Sequence, residues 1–316
     1  MSQNGNFTLA GCCSARLLEN TSVSITRGVR TRVPAIVISQ STQALIEDVF
    51  GEPGLFAGLP PIDRRIVAWG RDAEAVTLPH SAVLIGEEAL TARLQPGSYE
   101  DPADAGWTIH TVQPQASQHH FGSRKAYAAP VDVRASACWV ESLESGWLFL
   151  IPGFLIAVGA PPDILLAHSR LVAAQLRGGV GKSAEFPAWP RIADPLCAPG
   201  WLACGGAAMA FDPICGDGTG NAMREAILAS AVVRAAGRGE PVESLLAHYR
   251  ARLIAGFRRH LAMALEFYRA GNSGPWWEEE IRATECGIAW CSAELAGEQG
   301  FRYRLNGFEL EPVSVR

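Results

Sequence analysis

The sequence predicts an α/β fold with a β-rich middle and a helical C-terminal region, and three observations predict it. Short strand-like runs alternate with helical periodicity over the first hundred residues. Four strand-like segments crowd together between residues 106 and 160, and from Gly220 onward the pattern is helical. A chain of 316 residues and 33.8 kDa can bury a substantial core, as one large domain or two interleaved ones. With 48% hydrophobic and 19% charged residues, and with 32 glycines and 20 prolines to make turns, it reads as a compact α/β protein rather than a coiled coil or a disordered chain.

The elements follow in order. Residues 10–19, AGCCSARLLE, read as a short helix with Ala15, Leu17 and Leu18 available for burial, and SVSITR alternates as a strand should. STQALIEDVFG carries a Ser41 cap, Leu45, Ile46 and Val49 on one face, and Gly51 as a stop. RRIVAWG and AVTLPH are strands around a turn at Arg71-Asp72, and GEEALTARLQ is a helix ending before Pro96-Gly97. GWTIHTVQ, ASACWVES, GWLFLIPG and FLIAVGA read as an antiparallel sheet with a turn at Glu144-Ser145-Gly146. PDILLAHSRLVAAQLRGG is then an amphipathic helix introduced by Pro161-Pro162. WLACGG is a wholly apolar strand of the kind buried in parallel sheets, followed by three long helical stretches. No internal repeat or low-complexity linker divides the chain.

Charge and residue usage exclude several functions. A net charge of −5 and a pI near 5.8 give no electrostatic reason to expect nucleic acid, and no apolar run is long enough to cross a bilayer. Leu9-Ala10-Gly11-Cys12 matches a lipoprotein cleavage box but lacks the basic residues and apolar run that should precede it. The eight cysteines form no C-x-x-C pair and read as reduced thiols filling the core. Reduced thiols make the cytoplasm the expected compartment, and the seven histidines are scattered without ligand spacing, so no metal is expected.

One segment stands out: GGAAMAFDPICGDGTGNAMREA, residues 205–226, between the apolar strand and a long helix. A helix N-terminus offers unpaired N–H groups and partial positive charge, which favours a phosphate, a carboxylate or an electron-rich carbonyl. Asp212-Pro213 stiffens the approach, and Gly216, Gly218 and Gly220 let backbone come close to a flat ligand. A glycine-rich strand-to-helix connection with no ligand explains the spacing equally well.

These residues resemble the C-terminal FAD-binding segment of flavin-dependent monooxygenases of the hydroxylase and tryptophan-halogenase-like group. That pattern is a strand, Gly-Asp-Ala-Ala, Asp-Pro-x-x-Gly-x-Gly and a helix. LAGCCSARLLENTSVSITRG resembles the end of the family's first βαβ unit, with Gly11 as the last glycine of G-x-G-x-x-G. VPAIVISQSTQALIEDVFG resembles the helix beyond the family's second strand, and ESGWLFLIPG the Gly-Trp strand of its substrate sheet. The resemblance covers most of residues 9–236. It implies a Rossmann-like FAD-binding domain with an incomplete first βαβ unit (1–60, 81–100 and 195–236), a β-sheet substrate domain (61–80 and 101–194) and a helical C-terminal region (237–316). It also implies FAD as cofactor, with Gly11, Gly205, Gly206, Asp212, Pro213, Gly216, Gly218, Thr219, Gly220 and Asn221 as its binding residues; Asp217 and Arg224 beside them are further polar candidates, with a helix cap or a surface position explaining Asp217 equally well. No side chain is assigned to catalysis.

The sequence departs from the family pattern at definite places. The first two fingerprint glycines fall at Asn6 and Thr8, with five residues before Asn6, so the first strand is expected to be missing. Thr26-Arg27 stand where an acidic residue should meet the adenosine ribose, Gly206 replaces the Gly-Asp aspartate, and the middle Asp-Ala-Thr-Gly-Arg motif is degenerate as HFGSR, residues 120–124. Two functions follow. One is monooxygenase-type oxidation of an aromatic or carrier- or peptide-bound substrate, with reduced flavin from a separate reductase; Arg64-Arg65-Ile66 in place of the halogenases' lysine, and GWLFLIP without their second tryptophan, disfavour halogenation. The other is a non-catalytic relative acting as a binding or accessory protein. Several features have simpler explanations: GGVGKS is a helix stop rather than a P-loop, Trp276-Trp277 with Phe267 and Tyr268, like Trp139, Trp147 and Phe149, are expected to pack, and Arg258-Arg259-His260 reads as a solvated helix face.

Overall fold

A computed structural model describes residues 6–28, 31–94, 99–112, 117–297 and 302–313. Among the described residues the first elements are α1 (Leu9–Leu17), β1 (Val23–Ile25), β2 (Ile36–Ser39) and α2 (Gln40–Phe50). The hairpin β3 (Pro61–Ala68) and β4 (Val76–Ile85) leads to α3 (Glu87–Arg93), β5 (Trp107–His110) and β6 (Ser117–His120). Then come β7 (Lys125–Pro130), β8 (Ala137–Leu143), β9 (Gly146–Ile151), β10 (Phe154–Gly159) and α4 (Pro162–His168). Short strands follow: β11 (Ala184–Pro187), β12 (Arg191–Asp194), β13 (Cys197–Ala198), β14 (Trp201–Ala203) and β15 (Met209–Ala210). Three long helices, α5 (Gly218–Gly237), α6 (Val242–Ala270) and α7 (Pro275–Ala296), precede a terminal hairpin of β16 (Tyr303–Asn306) and β17 (Glu309–Pro312).

Two sheets organise these elements. The smaller runs β1-β5-β14-β13, its first three strands parallel, and α1 and α5 pack together in the core built on it. Alanine, cysteine and glycine make that contact close: Cys13 Sγ lies 3.9 Å from the Met223 carbonyl, and a Cβ on Gly205 would sit 2.9 Å from Ala10 Cβ. The larger sheet has eight strands in the order β11-β7-β10-β9-β8-β3-β4-β2, antiparallel except where β3 meets β8. A small sheet β15-β12-β6 lies beside the loop that leads to α5.

The structure corrects several expectations. Residues 107–110 belong to the parallel sheet, between β1 and β14, not to the antiparallel one, because Ile109 is wholly buried in the core shared with α1 and α5. The cap of α2 is Ser39, whose hydroxyl accepts the Thr42 amide, while Ser41 is exposed; Gly51 ends the helix in the left-handed conformation, as expected. Only Pro162–His168 of the long amphipathic stretch is α-helix. The buried Glu141 carboxylate accepts the amides of Arg170, Leu171 and Val172 at 2.8, 3.1 and 2.9 Å and the Ser169 hydroxyl, which draws the backbone out of the helix. Burial alone would raise the Glu141 pKa, but these bonds outweigh it and hold it below the carboxylate norm. The C-terminal region is not all helix: residues 303–312 form a hairpin turning at Gly307. Pro96-Gly97 and Gln113 lie outside the described residues.

Candidate functional site

The segment 205–226 leaves β14 through a 3₁₀ turn over Gly205–Ala207, with Gly205 left-handed at φ 56°, and the Tyr249 hydroxyl fixes the strand end by donating to the Ala203 carbonyl at 2.6 Å. After β15 a second turn, Pro213–Cys215, is capped by Asp212, whose Oδ1 accepts the Ile214 amide at 3.0 Å. Gly216, at φ 65°, then turns the chain toward α5. The loop conformation is therefore local in origin, from an Asp-Pro turn and a left-handed glycine.

What anchors the loop comes from far away in the sequence. The Asp212 side chain is fully buried and pairs with the equally buried Arg124. Its Oδ2 also accepts the Tyr268 hydroxyl at 2.9 Å. Arg124 makes a second ion pair with Glu280 at 2.6 Å, and its guanidinium lies 4.8 Å over the Tyr268 ring. The Asp212 amide donates to His260 Nε2 at 2.9 Å, which requires that nitrogen to be unprotonated. Burial, with Arg124 nearby, brings the His260 pKa down to about 4. Burial pushes Glu280 up, against the opposing pull of Arg124. One cation and two carboxylates out of water are stable only as a set.

The first turn of α5 is open. No side chain caps it, Gly216 and Gly218 are exposed, and a Cβ on either would meet nothing within 4 Å. The Asp217 carboxylate turns aside, accepting the Thr42 hydroxyl at 2.9 Å and pairing with Arg224 at 2.8 Å. Gly220 is needed there, since a Cβ would overlap Asp217 Oδ1 and come within 2.7 Å of Thr42 Oγ1. Asn221 closes the first helical bond to the Asp217 carbonyl at 3.0 Å.

The first turn of α1 is closed. Thr8 Oγ1 accepts the Gly11 amide at 3.1 Å, and Leu9, Ala10 and Gly11 are all buried. The Phe7 ring lies against Gly11, where a Cβ would be 3.0 Å from Phe7 Cδ1 and 3.4 Å from Thr111 Oγ1. Arg27 stacks on the same ring, its guanidinium 4.5 Å from the Phe7 centroid. The Thr26 hydroxyl is occupied by the Thr111 amide at 2.9 Å. Gly205 donates its amide to Glu225 at 2.7 Å, and burial, despite that bond, pushes the Glu225 pKa up to about 8.

The expected site residues thus fall in two groups. Asp212, Pro213, Gly216, Gly218, Thr219, Gly220 and Asn221 form one loop–helix junction, whereas Gly11 and Gly205 lie at the contact of α1 with the end of β14, with exposed Gly206 beside them. Asp212 holds the loop from within and presents no side-chain oxygen to solvent. His260 is buried rather than solvated, while Arg258 and Arg259 are exposed. Trp277 packs, donating its indole N–H to the Leu143 carbonyl at 2.9 Å. Sequence reasoning missed Arg124, Tyr268 and Glu280; nothing near Arg124 in HFGSR marks its partners, which lie on α6, α7 and the Asp-Pro loop. Among the described residues no group of three or more His, Cys, Asp or Glu could hold a metal, and no helix is long and apolar enough to cross a membrane.

No family model and no curated protein sequence matches this chain. Solved structures do. The chain is similar to the peptidyl tryptophan dihydroxylase QhpG, essential for tryptophylquinone cofactor biogenesis, at 17% identity and a TM-score of 0.73, over 96% of this chain and 84% of that one. It is similar to the flavin-dependent halogenase CmlS at 14% identity and a TM-score of 0.70, over 96% and 82%. It is also similar to p-nitrophenol 4-monooxygenase PnpA from Pseudomonas putida DLL-E4 at 13% identity and a TM-score of 0.63, over 91% and 94%. The fold is that of FAD-dependent halogenases and monooxygenases.

Proposed function

We propose that this chain is a flavin-dependent oxidoreductase of monooxygenase type, its flavin ring lying against the 212–220 loop and the first turn of α5. The observation that carries this reading is the uncapped α5 N-terminus beside two exposed glycines, in a chain with the fold of flavin-dependent enzymes. The residues present fit a flavin at that end. Free amides at Gly218, Thr219 and Gly220 would hold the N1 and C2 carbonyl edge, where the helix dipole stabilises negative charge. Gly216 and Gly218 would let the backbone approach a flat ring. The Arg124–Asp212–Tyr268 set would keep the loop in one place, and Asp217, paired with Arg224, would border the ring edge. When bound, reduced flavin supplies the reaction with oxygen and the oxygenation of an electron-rich substrate.

The residues at the α1 end do not fit an FAD diphosphate, because Thr8 caps the helix and Phe7 covers Gly11. On this reading the discontinuous segments 1–60, 81–100 and 195–236 carry the flavin side, except β2, which lies in the eight-stranded sheet; 61–80 and 101–194 carry the substrate sheet, except β5, which lies in the parallel sheet; and 237–316 is the remainder. The substrate is an aromatic small molecule or a carrier- or peptide-bound aromatic group, a choice supported by the fold shared with a peptidyl tryptophan dihydroxylase. Reducing equivalents come from a separate reductase. Arg64 and Arg65 on β3, where halogenases carry lysine, favour oxygenation over halogenation. The closed α1 favours a second reading, an accessory protein with no cofactor. Titration with FAD, followed by visible absorbance, tells them apart: a saturating spectral change weakened by Gly218→Leu supports the flavoenzyme, and no change at any concentration supports the accessory protein.

A further inference from the structure

We infer that the flavin site makes no use of an adenylate, so that riboflavin, FMN and FAD bind alike. The inference rests on the flavin reading of the α5 end and concerns what lies beyond the ring. A dinucleotide needs three things from this fold: free amides at a helix start for its diphosphate, a glycine surface for close approach, and a hydrogen-bonding group for the adenosine ribose.

Each of these is bonded, filled or buried by the protein itself. The Gly11 amide is bonded to Thr8 Oγ1, and the neighbouring Leu9 and Ala10 are buried with it. The approach surface of Gly11 is filled by Phe7 and Thr111. At the end of β1 the Thr26 hydroxyl and carbonyl are both taken by Thr111, at 2.9 and 3.1 Å. The Gly205 amide is spent on Glu225, 2.7 Å away. Two nearby cations among the described residues are engaged as well, although the buried Arg27 Nε has no hydrogen-bond partner. Arg27 stacks on Phe7, and Arg32 donates to the Phe7 carbonyl at 3.2 Å and faces Glu87 at 3.7 Å. A diphosphate entering here would have to break the Thr8 cap and displace an aromatic ring held from two sides, by Arg27 and by Tyr99 at 5.7 Å. The α5 end asks for no such rearrangement.

The test uses the full chain and compares dissociation constants for riboflavin, FMN and FAD by flavin fluorescence, with ADP as competitor. The inference expects the three constants to agree within about threefold, Gly218→Leu to weaken all three by about tenfold, and excess ADP to displace none of them. FAD binding more than about thirtyfold tighter than FMN, or displacement of FAD by ADP, overturns the inference while leaving the flavin reading intact. Failure of all three flavins to bind overturns the flavin reading and this inference with it.

Discussion

Two helices in this molecule begin beside parallel strands in glycine-bearing turns, and they are finished in opposite ways. At α1 the chain supplies its own hydrogen-bond acceptor, Thr8, and covers the turn with Phe7. At α5 the one acidic residue at hand, Asp217, turns toward Thr42 and Arg224, and the amides stay uncapped beneath open glycines. The lesson is that a helix N-terminus becomes a ligand site only when its own neighbours leave it unsatisfied, since its donors need a partner either way. The α5 turn can remain unsatisfied because the loop before it is held from inside, by the Arg124 network, rather than by contacts at its surface.

Removing that internal anchor breaks the comparison most severely. Arg124→Met leaves Asp212 and Glu280 buried without their cation, and denaturant unfolding is expected to show a loss of about 3–5 kcal/mol. Acid attacks the same anchor through His260. Its folded pKa, about 4, lies below the unfolded value of about 6.5, so the unfolded chain takes up the proton first. The stability it contributes is complete above about pH 6.5 and is lost toward pH 4, by up to about 1.4 kcal/mol per pH unit. His248, likewise brought down to about 4 by burial, adds to that slope, so thermal or denaturant melts of His260→Gln across the window should retain only part of it.

The remaining variants separate the two turns. Gly218→Leu places a side chain in open space, so it should leave the melting temperature unchanged and weaken flavin binding about tenfold, or about 1.4 kcal/mol. Thr8→Ala should do the reverse, costing about 1 kcal/mol of stability through the lost cap, with no loss of flavin affinity. If Thr8→Ala weakened FAD as much as Gly218→Leu did, the contrast between the turns would be false.

Much of this was legible in the sequence where the signal is local. The apolar face of α2 and its Gly51 stop, the apolar strand at Trp201 and the Asp-Pro turn before α5 all follow from neighbours in the chain. The placement of β5 was not, because a strand of only four residues, here Trp107–His110, reads alike in a parallel and an antiparallel sheet. The end of α4 was hidden for another reason: the carboxylate that captures residues 170–172 belongs to Glu141, on β8. Arg124 is the sharpest case. It sits in a stretch that reads as a worn cofactor motif, and its role appears only when α6 and α7 bring Tyr268 and Glu280 to it. Gly11 was misleading in the opposite sense, since its fingerprint position is kept while Thr8 and Phe7 occupy the space it would open.

Amide hydrogen exchange with and without saturating riboflavin addresses both turns in one experiment. Slowed exchange at Gly218 to Asn221, with Leu9 to Cys12 unchanged, is the result this account predicts. Slowing at Leu9 to Cys12 in place of the α5 turn, or no slowing at either, would contradict it.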